Sequence, residues 1–139
     1  MSISSGSLMV LFLWISLLSQ TNFGEALLKG RKYHVHVANG FSNNNQLTIH
    51  CASKDDDLGE HVLQVSQEWS WSFRENFWGT TQFWCNMNGE GHSKTVDVFV
   101  MEWGFLDTCG DKECFWSVRD DGIYLQRNKD GTWLKEYDW

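Results

Sequence analysis

The chain has 139 residues, 11 Lys and Arg against 18 Asp and Glu, and a formal net charge of −7. Such a surface repels phosphate backbones and anionic lipid headgroups, so nucleic acid and a membrane surface are poor partners. The 15% aromatic content, the four cysteines and the complete lack of proline point instead to a small, aromatic-filled fold whose turns depend on Gly, Asn and Asp.

In chain order, Leu8 to Leu18 is an uncharged apolar run, too short for a comfortable bilayer span. Gly24-Glu25-Ala26 follows with small residues of the kind a signal peptidase accepts. Residues 1–26 are therefore expected to be a cleaved secretory signal and 27–139 a single secreted domain with no membrane span. A domain of that length buries roughly two-thirds of its unfolded surface.

The remainder reads as short strands. Tyr33, Val35 and Val37 alternate with His34 and His36, and Asn39-Gly40 ends the run. Leu47, Ile49 and Cys51 alternate with Thr48 and His50; Lys54-Asp55-Asp56-Asp57 then ends that strand in water, and Leu58-Gly59 is read as a turn. Trp69, Trp71 and Phe73 alternate with Ser70, Ser72 and Arg74. Phe83, Cys85 and Met87 lead to an Asn88-Gly89 turn, and Thr95 to Trp103, apolar on both parities at its centre, suits a strand buried on two sides. Cys114–Val118, Ile123–Arg127 and Thr132–Tyr137 complete the series around Asp121-Gly122 and Asp130-Gly131, both strong hairpin signals. No stretch sustains a helical period. About eight short strands with turn residues between them predict an all-β fold, a small antiparallel β-sandwich or a small barrel.

An even cysteine count behind a secretory leader reads as two disulfides, with three pairings open on paper. Cys109 and Cys114 are close in sequence around Gly110, which favours a local bridge and leaves Cys51 to Cys85. Parity agrees, because Cys51 shares a face with Ile49, and Cys85 with Phe83 and Met87. Loop-closure entropy assigns about 4 kcal/mol to the long bridge and about 2 kcal/mol to the short one. A four-thiolate zinc site fits poorly, since Cys-x4-Cys lacks a second close pair.

The candidates for chemistry are few. His34, His36 and His50 lie on polar strand faces, and a hairpin could set His36 beside His50 as the start of a metal site. Solvent-facing histidines are the plainer account, so no metal and no cofactor are expected. The Asp55-Asp56-Asp57 run lacks the spaced oxygens of a calcium loop. No nucleophile elbow appears, no pair of histidines converges on a basic pocket as a secreted ribonuclease would need, and acid count alone is no case for a glycosidase. The chain is expected not to be an enzyme. Of the nine tryptophans, Trp69 and Trp71 belong to an inward face, while Trp78, Trp103 and Trp139 are candidates for an exposed aromatic platform.

Several segments together carry a resemblance. These are Val35-x-Val37-x-Asn39, Leu47-Thr48-Ile49-His50-Cys51-x-Ser53-Lys54-Asp55-Asp56-Asp57-Leu58-Gly59-x-His61, Trp71-x-Phe73 and Phe77-x-x-Thr80-Thr81-x-Phe83-x-Cys85. Further on come Asp97-Val98-Phe99, Cys114-x-Trp116-x-Val118 and Asp120-Asp121-Gly122-x-Tyr124. On these residues the chain resembles the plant self-incompatibility protein family, the S-protein homologues, from Tyr33 to about Leu125. The resemblance implies a secreted, disulfide-stabilised β-sandwich without enzymatic activity that serves as a monomeric extracellular ligand of a cell-surface protein receptor. In the best-known role of the family, a pistil-secreted member is recognised by a receptor on incompatible pollen. The alternative reading is an extracellular carbohydrate-binding module using exposed tryptophans. Asn86 to Gly91 departs from the family pattern by being polar and glycine-rich, so a hairpin tip longer or more mobile than usual is expected there.

Partner-binding loops are expected at Lys54 to Gly59, Asn88 to His92 and Asp107 to Glu113. The residues singled out are Lys54, Asp55, Asp56, Asp57, Asn88, Glu90, His92, Asp107, Asp111, Lys112 and Glu113.

Overall fold

A computed structural model describes residues 30–110 and 112–139. The expected signal segment, residues 1–26, and the loop residue Asp111 lie outside the described residues. Among the described residues, nine strands form two sheets: β1 (Lys32–Asn39), β2 (Leu47–Ala52), β3 (Asp57–Leu63), β4 (Glu68–Arg74), β5 (Gln82–Gly89), β6 (His92–Val100), β7 (Glu113–Arg119), β8 (Gly122–Arg127) and β9 (Thr132–Tyr137). One helix, α1 (Trp103–Cys109), lies between β6 and β7. The five-stranded sheet has the order β4-β1-β7-β8-β9, and the four-stranded sheet the order β3-β2-β5-β6. This is the expected all-β sandwich, with one departure from antiparallel pairing: β1 and β7 run parallel, His34 opposite Glu113.

The core is the sum of the inward parities. Val35, Val37, Ile49, Cys51, Cys85, Met87, Val118 and Ile123 are fully buried between the sheets. Burying each such side chain contributes about 1.5–3 kcal/mol, which the ordering entropy of the chain largely offsets. Cys51 pairs directly with Cys85 across β2 and β5 and is bonded to it; Cys109 is bonded to Cys114. Trp69 and Trp71 are half-buried, not central. With His61 stacked on Trp69 at 3.9 Å and Trp69 on Trp71 at 4.8 Å, they cover the flank between β3 and β4.

Four local readings are corrected, each for a physical reason. The two apolar parities of Val96 to Val100 do not reflect a strand buried on two sides, because β6 is the edge of its sheet. Phe83 faces Phe99 and Trp84 faces Asp97, so Val98 is an extra residue, and this bulge turns both Val98 and Phe99 inward. Leu58-Gly59 is likewise a bulge and not a turn. Two residues there oppose one of β2, with Gly59 at φ +79°, a conformation that glycine adopts without cost. The chain past Val100 does not continue as a strand. Trp103–Cys109 is helical, and seven residues are too few to show a period in the sequence. Finally, the hairpin tip after β5 is short: Glu90-Gly91, both at positive φ, form a two-residue turn, while Asn88-Gly89 stay in the strand. Gly89 is needed there for space, since a Cβ would sit 2.5 Å from the Phe41 ring.

Candidate functional site

The registers sort the loops to two ends of the sandwich. Lys32 faces Arg74, Gln82 faces Val100 and Ala52 faces Trp84. The rings of Tyr33, Phe73, Phe83 and Phe99 meet beneath this end and join the two sheets. It carries Ser53–Asp56, Glu75–Thr81, α1 and the 128–131 hairpin. The opposite end carries Gly40–Gln46, Gln64–Gln67, Glu90-Gly91, Asp120-Asp121 and the chain terminus.

The three expected partner loops therefore do not form one surface. Lys54, Asp55 and Asp56 sit at the first end in a tight turn, closed by Ser53 N–H donating to Asp56 O at 2.8 Å and Asp56 N–H donating to Ser53 Oγ at 3.1 Å. Asp57 is the first residue of β3 and not a loop residue; its carboxylate accepts from Gly59 N–H at 2.9 Å and lies 2.5 Å from His50 Nε2. These bonds, the Gly59 amide foremost, lower its pKa. Asp107 lies on α1, exposed, and Lys112 is exposed at φ +67°. Glu113 is a strand residue: its carboxylate lies 2.7 Å from His36 Nε2 and 3.4 Å from His34 Nδ1. Asn88, Glu90 and His92 stand at the opposite end. Glu90 accepts from Asn45 Nδ2 at 3.0 Å, and His92 stacks on Trp139 at 5.0 Å.

The histidine pairing expected for a metal site is also corrected. His36 and His50 lie in different sheets, because β1 pairs with β4 and β7 and not with β2. His36 is held between Glu68 and Glu113. Among the described residues, no group of three or more His, Cys, Asp or Glu side chains is placed to hold a metal ion.

The most distinctive surface is the β4–β5 loop. Asn76 ties it together: Thr80 N–H donates to Asn76 Oδ1 at 2.9 Å, Asn76 Nδ2 donates to Thr80 Oγ1 at 2.9 Å, and Asn76 N–H donates to Thr81 Oγ1 at 2.7 Å. Gly79, at φ +68°, closes the turn by donating its N–H to Asn76 O at 3.3 Å. The network holds the backbone and lifts Phe77 and Trp78 clear of it, 74% and 79% exposed, edge to face at 5.3 Å. Beside them a groove of about 370 Å³ runs between the Ser53–Asp55 turn and Thr80-Thr81. The sequence reading picked out Trp78 and missed Phe77; the signal was available in two adjacent aromatics bracketed by Asn76 and Thr80-Thr81. Trp103 is exposed as expected, at 90%, whereas Trp139 is not a platform residue. Trp139 packs near Phe41 and donates Nε1–H to Arg119 O at 2.8 Å.

Comparison with known proteins accords with this frame. Residues 34–139 match the family model for plant self-incompatibility protein S1. S-protein homolog 1 of Arabidopsis thaliana is 38% identical over 108 residues, covering 78% of this chain and 72% of the relative. S-protein homolog 19 of the same plant is 36% identical over 117 residues, 83% and 86% of the two chains. A solved SPH (self-incompatibility protein homologue) structure, described as one of a widespread family of small, highly stable, secreted proteins from plants, superposes with a TM-score of 0.57 at 15% identity, over 79% of this chain and 97% of that one. The family match, residues 34–139, spans all four cysteines and nearly all of both sheets, and on it the chain belongs to the plant self-incompatibility protein S1 family.

Proposed function

We propose that this protein is a non-enzymatic extracellular ligand, recognised by a cell-surface protein at the end of the sandwich that carries Phe77 and Trp78. One observation carries the reading: two large aromatics stand in solvent on a loop that its own side chains hold rigid. An exposed apolar pair costs solubility without a partner, and aromatic anchors on a preorganised loop are the usual centres of binding energy. The family is not known for catalysis, which accords with a ligand role. In this reading the leader is removed near Ala26 and residues 27–139 act as a monomer.

The test uses the secreted protein, with its amino terminus read by mass spectrometry, and measures binding to plasma-membrane protein from plant tissue. Phe77→Ser and Trp78→Ser should each weaken binding at least tenfold, roughly the effect of losing one interface anchor. Glu90→Gln at the other end should leave binding unchanged. Equal binding by all three variants, or loss confined to Glu90→Gln, would refute the proposal.

A further inference from the structure

A second exposed aromatic lies on a different part of the same end. Trp103 begins α1 and stands beside an open groove of about 620 Å³, lined also by Arg31, Tyr33, Leu106, Asp107 and Lys112. The indole is on a fixed support. Leu106 N–H donates to Glu102 O, Gly110 N–H donates to Leu106 O, Asn128 N–H donates to Thr108 O, and the Cys109–Cys114 bond anchors the helix to β7. The start of β1 is fixed too, by Arg31 N–H donating to Glu75 Oε1 at 3.1 Å and Glu75 N–H donating to Arg31 O at 2.8 Å. These bonds use the Arg31 backbone. Among the described residues, neither its guanidinium nor the Lys112 ammonium has a carboxylate within ion-pair distance.

We propose that this groove binds an acidic sugar, a uronic-acid oligosaccharide. A pyranose ring has one flat face of C–H bonds, which suits the exposed indole face of Trp103. Its carboxylate suits the planar fork of Arg31, with Lys112 as a second positive charge and Asp107 as an acceptor for hydroxyls. Among the described residues that line the groove, Arg31 and Lys112 are cationic and Asp107 is acidic, whereas the chain as a whole carries −7. That overall charge opposes a polyanion at long range, so attraction depends on short-range pairing inside the groove. An acidic peptide fits less well. Peptides gain affinity by adding to a free strand edge, and β1 beneath the groove is already paired on both sides, with β4 and β7.

The site is independent of the proposed protein-binding loop, and the experiment keeps the two apart. Amide and indole NMR signals of the secreted protein are followed during titration with trigalacturonate, with neutral cellotriose and with a short poly-aspartate peptide. The expected result is saturable shifts at Arg31, Trp103 and Lys112 with trigalacturonate, at least tenfold weaker binding of both controls, and weakening as salt rises from about 20 to about 200 mM. Trp103→Ala and Arg31→Gln should each reduce affinity at least tenfold, while Phe77→Ser and Trp78→Ser retain it. Trp103 is solvent-exposed, so its removal leaves the core intact, and Arg31→Gln supplies a separate variant. The proposal is overturned if trigalacturonate at about 10 mM leaves the groove signals unmoved. It is overturned equally if cellotriose or poly-aspartate binds as tightly, or if neither variant weakens the interaction.

Discussion

The two ends of the sandwich spend their polar groups in different ways. At the Asp120 end, side chains satisfy one another and close the surface. Asn39, 1% exposed, donates Nδ2–H to Asn45 O and Leu63 O and accepts from Phe41 N–H. Ser42 bonds Asp120 through both its amide and its hydroxyl, Asn45 bonds Glu90, and Trp139 covers Phe41 and His92. At the Phe77 end, polar side chains satisfy the loop backbone and leave the large aromatics outside. Asn39 and Asn76 thus do opposite things with the same amide: one seals a corner of the core, the other builds a stand for Phe77 and Trp78. The difference separates an end closed by its own polar groups from the end proposed for recognition.

The largest test of that contrast is Asn39→Ala. It removes three hydrogen bonds from a buried site and leaves two carbonyls and an amide without their partner, so stability should fall by about 2–4 kcal/mol in thermal or urea unfolding. A loss within 0.5 kcal/mol, the usual effect of a surface change, would remove the basis for calling this end structural. Next in size is Trp139→Ala, which deletes the stack on His92 and the bond to Arg119 O; about 1–2 kcal/mol should be lost.

At the proposed recognition end the effects should shift from stability to order. Asn76→Ala should cost about 1 kcal/mol and raise amide hydrogen exchange across Phe77 to Thr81, with no change at Asn39 or Phe41. Phe77→Ser and Trp78→Ser should leave the unfolding free energy within about 0.5 kcal/mol of the parent or raise it slightly, since each removes exposed apolar surface. A large loss of stability in either would show that the pair packs in solution and is not free for a partner.

Acid should produce the smallest effect and separate the ends by order. Asp120, held down first by the Ser42 hydroxyl and then by its amide, and Asp121, held down by the Tyr124 hydroxyl, lie below the ordinary value of 3.8. Asp130, paired to the Arg127 guanidinium at 2.6 Å, is pushed further down. A carboxylate with a lowered folded-state pKa stabilises the fold above its unfolded value, and that contribution fades as pH drops through the folded value. The Asp120 end should therefore loosen before the Asp130 hairpin as pH falls below about 4. Carboxyl NMR titration reads this order directly, and an Asp130 that protonates first would contradict it. All three groups are exposed, so salt should blunt the effect.

Much of the architecture was legible in the residues. Alternation at Tyr33–Val37, Leu47–Cys51 and Phe83–Met87 reports which side chains face inward, because strand side chains have a period of two. The same parity places Cys51 and Cys85 on facing inward positions. What escaped were features that break the period: the Val98 and Leu58-Gly59 bulges each insert one residue, and a bulge has no sign in a short window beyond one disturbed alternation. The seven-residue helix escaped for a related reason, being shorter than two turns and stabilised by Cys109–Cys114 and by packing, not by its own sequence.

The sequence by itself determined the inward faces of the regular strands β1, β2 and β5, favoured one disulfide pairing of three and carried the family signature, because those follow from local period and residue identity. Only the tertiary structure decided which loops stand together. The Lys54 turn and Lys112 share an end with Phe77, Trp78 and Trp103, while Asn88, Glu90 and His92 lie at the other. The physical reason is strand pairing. The order β4-β1-β7-β8-β9 against β3-β2-β5-β6 joins residues far apart in the chain, and no local pattern carries information about which edges will meet.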